Sequence, residues 1–422
     1  MSVRPSGRAS ARRLAAAGLA AVLGLTMAAC SVGSDDSDSA PGAGAGQGDA
    51  TGSTDGGATG EGVAEDDATT PVGPAIKLNV AKGAPAVPVS TLVKVAAETG
   101  ALTSVAISSP EGELPGAISD DGVSWTASER LEPGTTYSLK AVAEADGASS
   151  QVRRTFTASP LTLDEQTYPS VAPLQGETVG VGMPVVVTFD LPVTDRAEFE
   201  KHMTVTASPA QAGSWYWLSD TTAHWRPKTY WKPGSKVAVD VDVNGVDAGN
   251  GIYGQEDRVV DFNVGKAHIY QVSAKTHDMK VFENGKLLRT LPITTGKEGF
   301  TTRSGVKVIM EKFESKRMNS ETVGIPQGSS ESYDIDNVQW AMRVTNSGEF
   351  IHAAPWSVGS QGYANVSHGC TGMSTDNAAW LYSISRRGDV VEYTGTDRPM
   401  TFDNGYGDWN KSFKDYQGGS AL

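Results

Sequence analysis

Apolar positions in this chain recur mostly with the two-residue period of strands. From Ile76 to about Ala158 short runs carry it: Leu78-Asn79-Val80, Thr91 to Val95, Ser104 to Ile107 and Tyr137 to Val142. Pro110-Glu111-Gly112, Asp120-Asp121-Gly122 and Glu132-Pro133-Gly134 punctuate them as turns. Short strands at this spacing, with no helical period, predict a β-sandwich of immunoglobulin-like size. A second block, about Ser159 to Gly265, repeats the pattern with Val185 to Phe189, Met203 to Thr206, Lys236 to Val241 and Val259 to Phe262. Trp125 precedes Pro133-Gly134 at the separation at which Trp225 precedes Pro233-Gly234, and each Pro-Gly opens a strand. Two tandem sandwiches fit that repeat. The aromatic cluster Trp215, Tyr216, Trp217, Trp225, Tyr230 and Trp231 reads as sandwich core plus an interdomain contact, with a sugar-stacking platform as the alternative. His202 and His224 read as surface or edge residues.

From about Lys266 the strands continue. His268 to Val272 comes first; then Met279 to Phe282 and Leu287 to Leu291 flank Glu283-Asn284-Gly285-Lys286, and Asn-Gly between alternating strands signals a hairpin. Val306 to Met310, Val338 to Val344 and Glu349 to Ala353 are further strands. Ser374 caps a helix over Ala378 to Ile384 with Gly388 as its C-terminal stop, and Asp389 to Tyr393 closes as a strand. The fold class is mainly β: two Ig-like sandwich modules, then a mostly-β domain with one short helix.

The N-terminus breaks the pattern. Arg4, Arg8, Arg12 and Arg13 precede an apolar run from Leu14 to Ala29, the shape of an export signal and shorter than the roughly 20 residues of a spanning helix. The run ends Met27-Ala28-Ala29-Cys30, which resembles a bacterial lipobox, so Cys30 is the expected lipidation site. An ordinary cleaved signal is the alternative. Residues 31 to about 73 are almost only Gly, Ala, Ser, Thr, Asp, Glu and Pro, without an aromatic. Such a stretch buries too little to offset its ordering entropy and reads as a tether with a root-mean-square reach of roughly 35–40 Å. The expected boundaries are 1–29 signal, 30–74 tether, 75–158 and 159–265 Ig-like modules, 266–397 the third domain and 398–422 an extension. The net charge of -14 argues against nucleic-acid binding.

The chain has two cysteines, Cys30 and Cys370. With Cys30 consumed by lipid, Cys370 is a lone thiol outside the cytoplasm, exposed to oxidation and retained for chemistry rather than packing. It sits in Ser367-His368-Gly369-Cys370-Thr371, downstream of Phe350-Ile351-His352-Ala353. Cys370 reads as nucleophile and His352, at a strand end, as its base, with the Ala353 carbonyl as orienter of the ring. Gly369 permits close backbone approach, so the Gly369 and Cys370 N–H groups are candidate oxyanion donors. A metal site of His352, His368 and Cys370 is the rival, but it lacks paired-ligand spacing and needs a distant acidic ligand. No metal and no cofactor is expected.

His352-Ala353-Ala354-Pro355-Trp356-Ser357-Val358-Gly359 together with Asn365-Val366-Ser367-His368-Gly369-Cys370 resembles the signature of the L,D-transpeptidases with a YkuD-type catalytic domain, above all actinobacterial lipoprotein members with Ig-like domains. Gly407-Asp408-Trp409-Asn410 resembles the family's C-terminal extension. The resemblance implies a peptidoglycan enzyme. Its Cys attacks a diaminopimelate carbonyl of a donor tetrapeptide stem, expels D-Ala, and passes the acyl group to an acceptor stem as a 3→3 link. It implies Cys370 as nucleophile, His352 as base, and His368 as an architectural or substrate-contacting residue. Met318 and Tyr333 match positions on a flap over residues about 312 to 335, with the Tyr333 hydroxyl joining the oxyanion hole; Ser367, Gly369 and Ala353 complete the site. Carbapenems are the implied covalent inhibitors, and the implied location is the outer face of the cell membrane and the wall. The family usually has Arg or Asn where this chain has Gly372, so that contact to the donor is missing or supplied elsewhere. An L,D-carboxypeptidase, or a non-catalytic wall-binding lipoprotein, are the alternatives.

Overall fold

A computed structural model describes residues 73–422. The export signal, Cys30 and nearly all of the tether fall outside them. The first module has two four-stranded sheets. One is ordered Ile76–Leu78, Lys94–Ala97, Ser124–Ala127, Gly116–Ile118; the other Gly112–Glu113, Ala101–Ser109, Thr136–Ala145, Ala148–Thr157. Their inner faces bury Val93, Val95, Ile107, Trp125, Leu131, Tyr137 and Phe156. In the strand Thr136–Ala145 buried and outward residues alternate along almost the whole length, the two-period that made it legible.

The second module again pairs two four-stranded sheets. They run Pro169–Ala172, Val185–Phe189, Thr222–Pro227, Gly213–Ser219 and Thr178–Val179, Arg258–Val264, Lys236–Val241, Met203–Ser208. The tandem repeat extends to packing. A Cβ at Gly116 would meet the Trp125 ring at 2.1 Å, and one at Gly213 would meet the Trp225 ring at 2.1 Å. Each buried Trp thus lies flat on a glycine of the next strand. Trp215, Trp217, Trp225 and Trp231 are core residues, while Tyr216 and Tyr230 face the C-terminal extension through Phe402, Tyr416 and Trp409. A six-residue helix, Arg196–Lys201, interrupts the strands; Asp195 caps it by accepting from the Glu198 N–H. It is too short to show a helical period in sequence.

The third domain holds a five-stranded sheet, Lys286–Pro292, Asp278–Glu283, His268–Ser273, Val390–Thr394, Gly305–Val308, and a four-stranded one, Glu311–Asn319, Asp334–Arg343, Phe350–Ala353, Thr371–Met373. Tyr270, Met279, Ile293, Met342, Ile351, Met373 and Leu381 form the core between them. The helix Thr375–Ile384 starts on Ser374, whose hydroxyl accepts from the Asn377 N–H, and packs on the strands that carry the site. Its C-cap is Ser385, not Gly388; Gly388 (φ +94°) instead makes a close turn against Gly180 and Met183 of the second module.

That turn joins the two domains. Gly180 N–H donates to the Arg387 carbonyl and Gly182 N–H to the Gly388 carbonyl, each at 2.8 Å, and Val390 completes the second module's core. The extension then returns across the second module. His224 is not a surface residue: it is buried, and its Nδ1 meets the buried Asp408 carboxylate at 3.0 Å. Asp408 also accepts from the Tyr416 hydroxyl at 2.9 Å. The Arg226 guanidinium lies over the Trp409, Phe413 and Tyr416 rings. His202 is half-buried beside Arg130. The third domain, the extension and the second module are therefore bound by polar groups shielded from water, where a lost partner is costly.

Candidate active site

Two parallel strands set the site. Phe350–Ala353 runs beside Thr371–Met373, with His352 opposite Gly372. Cys370 immediately precedes the strand Thr371–Met373, so the cysteine and His352 are carried by neighbouring parallel strands. The loop before Cys370 is fixed from within. The Ser367 hydroxyl donates to the Cys370 carbonyl at 2.6 Å and accepts from the Gly369 N–H at 3.1 Å. Gly369 sits at φ +122°, a region only glycine enters readily. The Thr302 hydroxyl donates to its carbonyl at 2.8 Å. Two expectations change here. The Gly369 N–H is committed to Ser367 and is not available to an oxyanion. Ser367 spends its hydroxyl shaping the turn rather than facing substrate.

Cys370 is half-buried. Its thiol lies 3.7 Å from the Gly348 carbonyl, to which it donates, and the Phe350 N–H points at the sulfur. No hydrogen bond joins it to the His352 ring among the described residues. Burial pushes the thiol up to about 11; the Phe350 N–H and the charges of Lys307 and Arg343 pull the other way, and Glu349 adds to the rise. His352 is buried and its imidazole is held below its usual value by that burial, against the opposing pull of the Ala353 carbonyl. Nδ1 lies 2.8 Å from that carbonyl. A carbonyl only accepts, so Nδ1 carries the proton and Nε2 presents a lone pair. The resting pair is neutral thiol and neutral imidazole, not a preformed thiolate. The helix at Thr375 begins too far along the chain for its dipole to reverse this.

The flap is a β-hairpin arm. Strands Glu311–Asn319 and Asp334–Arg343 form it, with a 3₁₀ turn Ser320–Val323 and an irregular tip between. No residue of its first strand, Glu-Lys-Phe-Glu-Ser-Lys-Arg-Met-Asn, is buried, so it carries no apolar alternation to betray it. Under the arm lies a cavity of about 210 Å³ lined among others by Met318, Tyr333, Arg343, Gly348, Phe350 and Cys370. The Tyr333 hydroxyl is pushed up to about 12 by burial and by the nearby Cys370, so it is a donor at neutral pH. His368 meets Glu331 of the flap through Nε2 at 2.6 Å, and its ring lies between Phe300 and Tyr333. Among the described residues no group of three or more His, Cys, Asp or Glu side chains is placed to hold a metal ion.

Gly372 has a steric reason. A Cβ there would come within 2.9 Å of the Ala354 Cβ and 3.1 Å of the Thr294 Cγ2. Behind the Cys loop lies an ionic cluster that sequence reasoning missed. Lys307 is fully buried, its ammonium bonded to Glu349 and 3.7 Å from the Tyr393 ring centroid. Arg303 Nη1 holds the other Glu349 oxygen at 2.9 Å. Burial pulls Lys307 down to about 8 against the pull of Glu349. One signal was present: a lysine inside the apolar run Val306-Lys307-Val308-Ile309. The Gly348 carbonyl and Phe350 N–H are backbone groups and leave no mark in a sequence.

Residues 84–247 match the model of a bacterial Ig domain, and residues 267–392 that of the L,D-transpeptidase catalytic domain. L,D-transpeptidase 2 of Mycobacterium tuberculosis is 37% identical over 351 residues, covering 82% of this chain and 85% of that protein. L,D-transpeptidase 1 of the same species is 40% identical over 226 residues, 54% of this chain and 84% of that one. A solved structure of an L,D-transpeptidase in complex with imipenem is 40% identical, covering 53% of this chain and 97% of its own, with a TM-score of 0.48. The chain belongs to the L,D-transpeptidase family and is a transpeptidase in which an Ig-like region precedes a YkuD-type catalytic domain.

Proposed function

We propose that the enzyme forms 3→3 cross-links between diaminopimelate residues of peptidoglycan through a thioester on Cys370, with release of D-Ala. The observation that carries this reading is the Cys370 thiol opening into the cavity that Met318 and Tyr333 of the flap also line, with His352 on the neighbouring strand and its Nδ1 held by the Ala353 carbonyl. Sγ attacks the diaminopimelate carbonyl of the donor stem while its proton passes to His352 Nε2, so no free thiolate is needed. The Cys370 N–H and the Tyr333 hydroxyl receive the oxyanion. Collapse breaks the amide bond. The leaving amine takes the proton from His352 and departs as D-Ala. An acceptor diaminopimelate amine then attacks the thioester as His352 removes its proton, and the new amide and the free thiol result. The flap favours an amine over water by covering the thioester.

Carbapenem acylation of Cys370 belongs to the same proposal; the imipenem in the solved relative is a ligand of that protein. So does anchoring through lipid on Cys30, with the tether lifting the modules from the membrane; Cys30→Ala moves the protein out of the membrane fraction if this holds. Incubation with a disaccharide-tetrapeptide, read by mass spectrometry, tests the reaction. A dimer lacking one D-Ala supports transfer, a tripeptide supports hydrolysis, and unchanged substrate supports a binding role.

A further inference from the structure

Glu331 sits at the flap tip, just before Tyr333 and the strand Asp334–Arg343. Its Oε2 is shared by two donors on the facing wall, Lys297 Nζ and His368 Nε2, each at 2.6 Å. Those donors belong to the fixed side of the cleft. The Lys297 N–H donates to the Ser367 carbonyl at 2.9 Å, so Lys297 is stitched to the Cys370 loop. His368 is two residues from Cys370 and is held between the Phe300 ring, 4.7 Å away edge-on, and the Tyr333 ring at 5.1 Å. Glu331 belongs to a tip that has no regular structure from Gly324 to Tyr333 and is largely exposed. The Lys297 and His368 bonds hold the Glu331 carboxyl below its usual range, so it is an anion at neutral pH. All three side chains are a quarter to a third exposed, at 35% for Lys297, 34% for Glu331 and 24% for His368. The group is reachable by solute, and an ion pair of such exposure is weak and exchangeable. Nothing in the proposed chemistry uses it.

We propose that Lys297 and His368 form a carboxylate-binding subsite beside Cys370 that takes the terminal carboxylate of the donor stem, and that Glu331 fills it as an internal stand-in until the donor displaces it. The inference rests on the donor reading above. The Tyr333 ring that packs on His368 also lines the cavity that holds Cys370, so the subsite adjoins that cavity. A stem ending in D-Ala carries its carboxylate two bonds beyond the leaving nitrogen, about 4 Å from the carbonyl under attack. The Lys297 ammonium, with the His368 ring N–H beside it, recognises a free C-terminus through charge-assisted hydrogen bonds and is left unpaired by a neutral one. Donor binding and release of the flap tip then become one event, because the two carboxylates compete for the same donors.

The test compares tetrapeptide donors with a C-terminal carboxylate and a C-terminal carboxamide, using the full described chain. The wild type is expected to prefer the acid by about tenfold in kcat/KM. Lys297→Met should lower kcat/KM for the acid by about tenfold, mainly through KM, and leave the amide unchanged; Lys297→Arg should restore the preference. Glu331→Ala should lower KM for the acid severalfold without changing the amide. Equal effects of Lys297→Met on both donors, or a rise in KM for the acid in Glu331→Ala, would overturn the subsite. A wild type that makes no product from either donor contradicts the donor reading instead. In that case calorimetric binding of the acid and amide peptides to Cys370→Ala, with and without Lys297→Met, decides the subsite: equal affinities overturn it and a Lys297-dependent preference for the acid supports it.

Discussion

A neutral resting pair has a kinetic signature distinct from that of an ion-paired thiolate. With the Cys370 thiol at about 11 against 9.0 for a free one, the thiolate fraction at pH 7.5 falls about a hundredfold. Alkylation by iodoacetamide consumes thiolate without needing a base. Its rate at Cys370 should therefore lie about two orders of magnitude below that of an exposed thiol at pH 7.5, and should climb about tenfold per pH unit through pH 10. Acylation by a carbapenem or donor stem runs through His352, so it should not follow that slope. His352→Ala sharpens the contrast. Loss of a general base typically costs about 10²- to 10⁴-fold in acylation, while alkylation should change by only a few-fold. The assay is stopped-time intact-protein mass spectrometry at a series of pH values, with both reagents on both proteins. Alkylation that levels off below about pH 7, or that falls with acylation in His352→Ala, would show a thiolate–imidazolium pair and refute the reasoning.

Three further outcomes follow from other parts of the molecule. Gly369→Ala meets no atom closer than 3.7 Å, yet places a side chain at φ +122°; it should cost about 1–3 kcal/mol in thermal unfolding and depress acylation as the Cys370 loop shifts. Asp408→Ala strands His224 and Tyr416 in a buried interface and should destabilise by about 1–3 kcal/mol in denaturant unfolding, whereas Lys414→Ala, at an exposed position of the helix Phe413–Gln417 that carries Tyr416, should be near neutral. Burial raises the Glu177 carboxyl, but the Arg387 guanidinium and the Leu174 N–H outweigh it and hold it below the usual carboxylate range. A depressed carboxyl stabilises fully above its unfolded value, about 4.3, and loses that contribution as pH falls through the folded value. Glu177→Gln should therefore lower the melting temperature at pH 7, with the gap to wild type closing as pH falls below about 4.

The strands of the two sandwiches were legible because their inner faces alternate with solvent along each run, as in Lys236–Val241. The repeat of Trp and Pro-Gly was legible for a packing reason: each Trp covers a glycine of the adjacent strand. What stayed hidden has physical causes as well. No residue of the first flap strand is buried, so its sequence carries charge without an apolar period. His224 looked like an edge residue because its partner, Asp408, lies far along the chain in the extension. Gly369 and Ser367 could be placed at the Cys motif, but only the fold reveals that they bond to each other and that the Gly369 N–H is spent. The pairing of Glu331 with Lys297 and His368 likewise depends on the arm folding back over the Cys loop, a long-range event that spacing does not encode.

The central claim is that Cys370 carries the acyl group between two stems. Intact-protein mass spectrometry of the enzyme mixed with a tetrapeptide donor alone, followed by proteolytic mapping, tests it most directly. The account predicts a mass gain equal to the donor minus D-Ala, localised to the peptide containing Cys370, discharged when an acceptor amine is added, and absent in Cys370→Ala. Product formation with no adduct on Cys370, or an adduct that persists in Cys370→Ala, would contradict it.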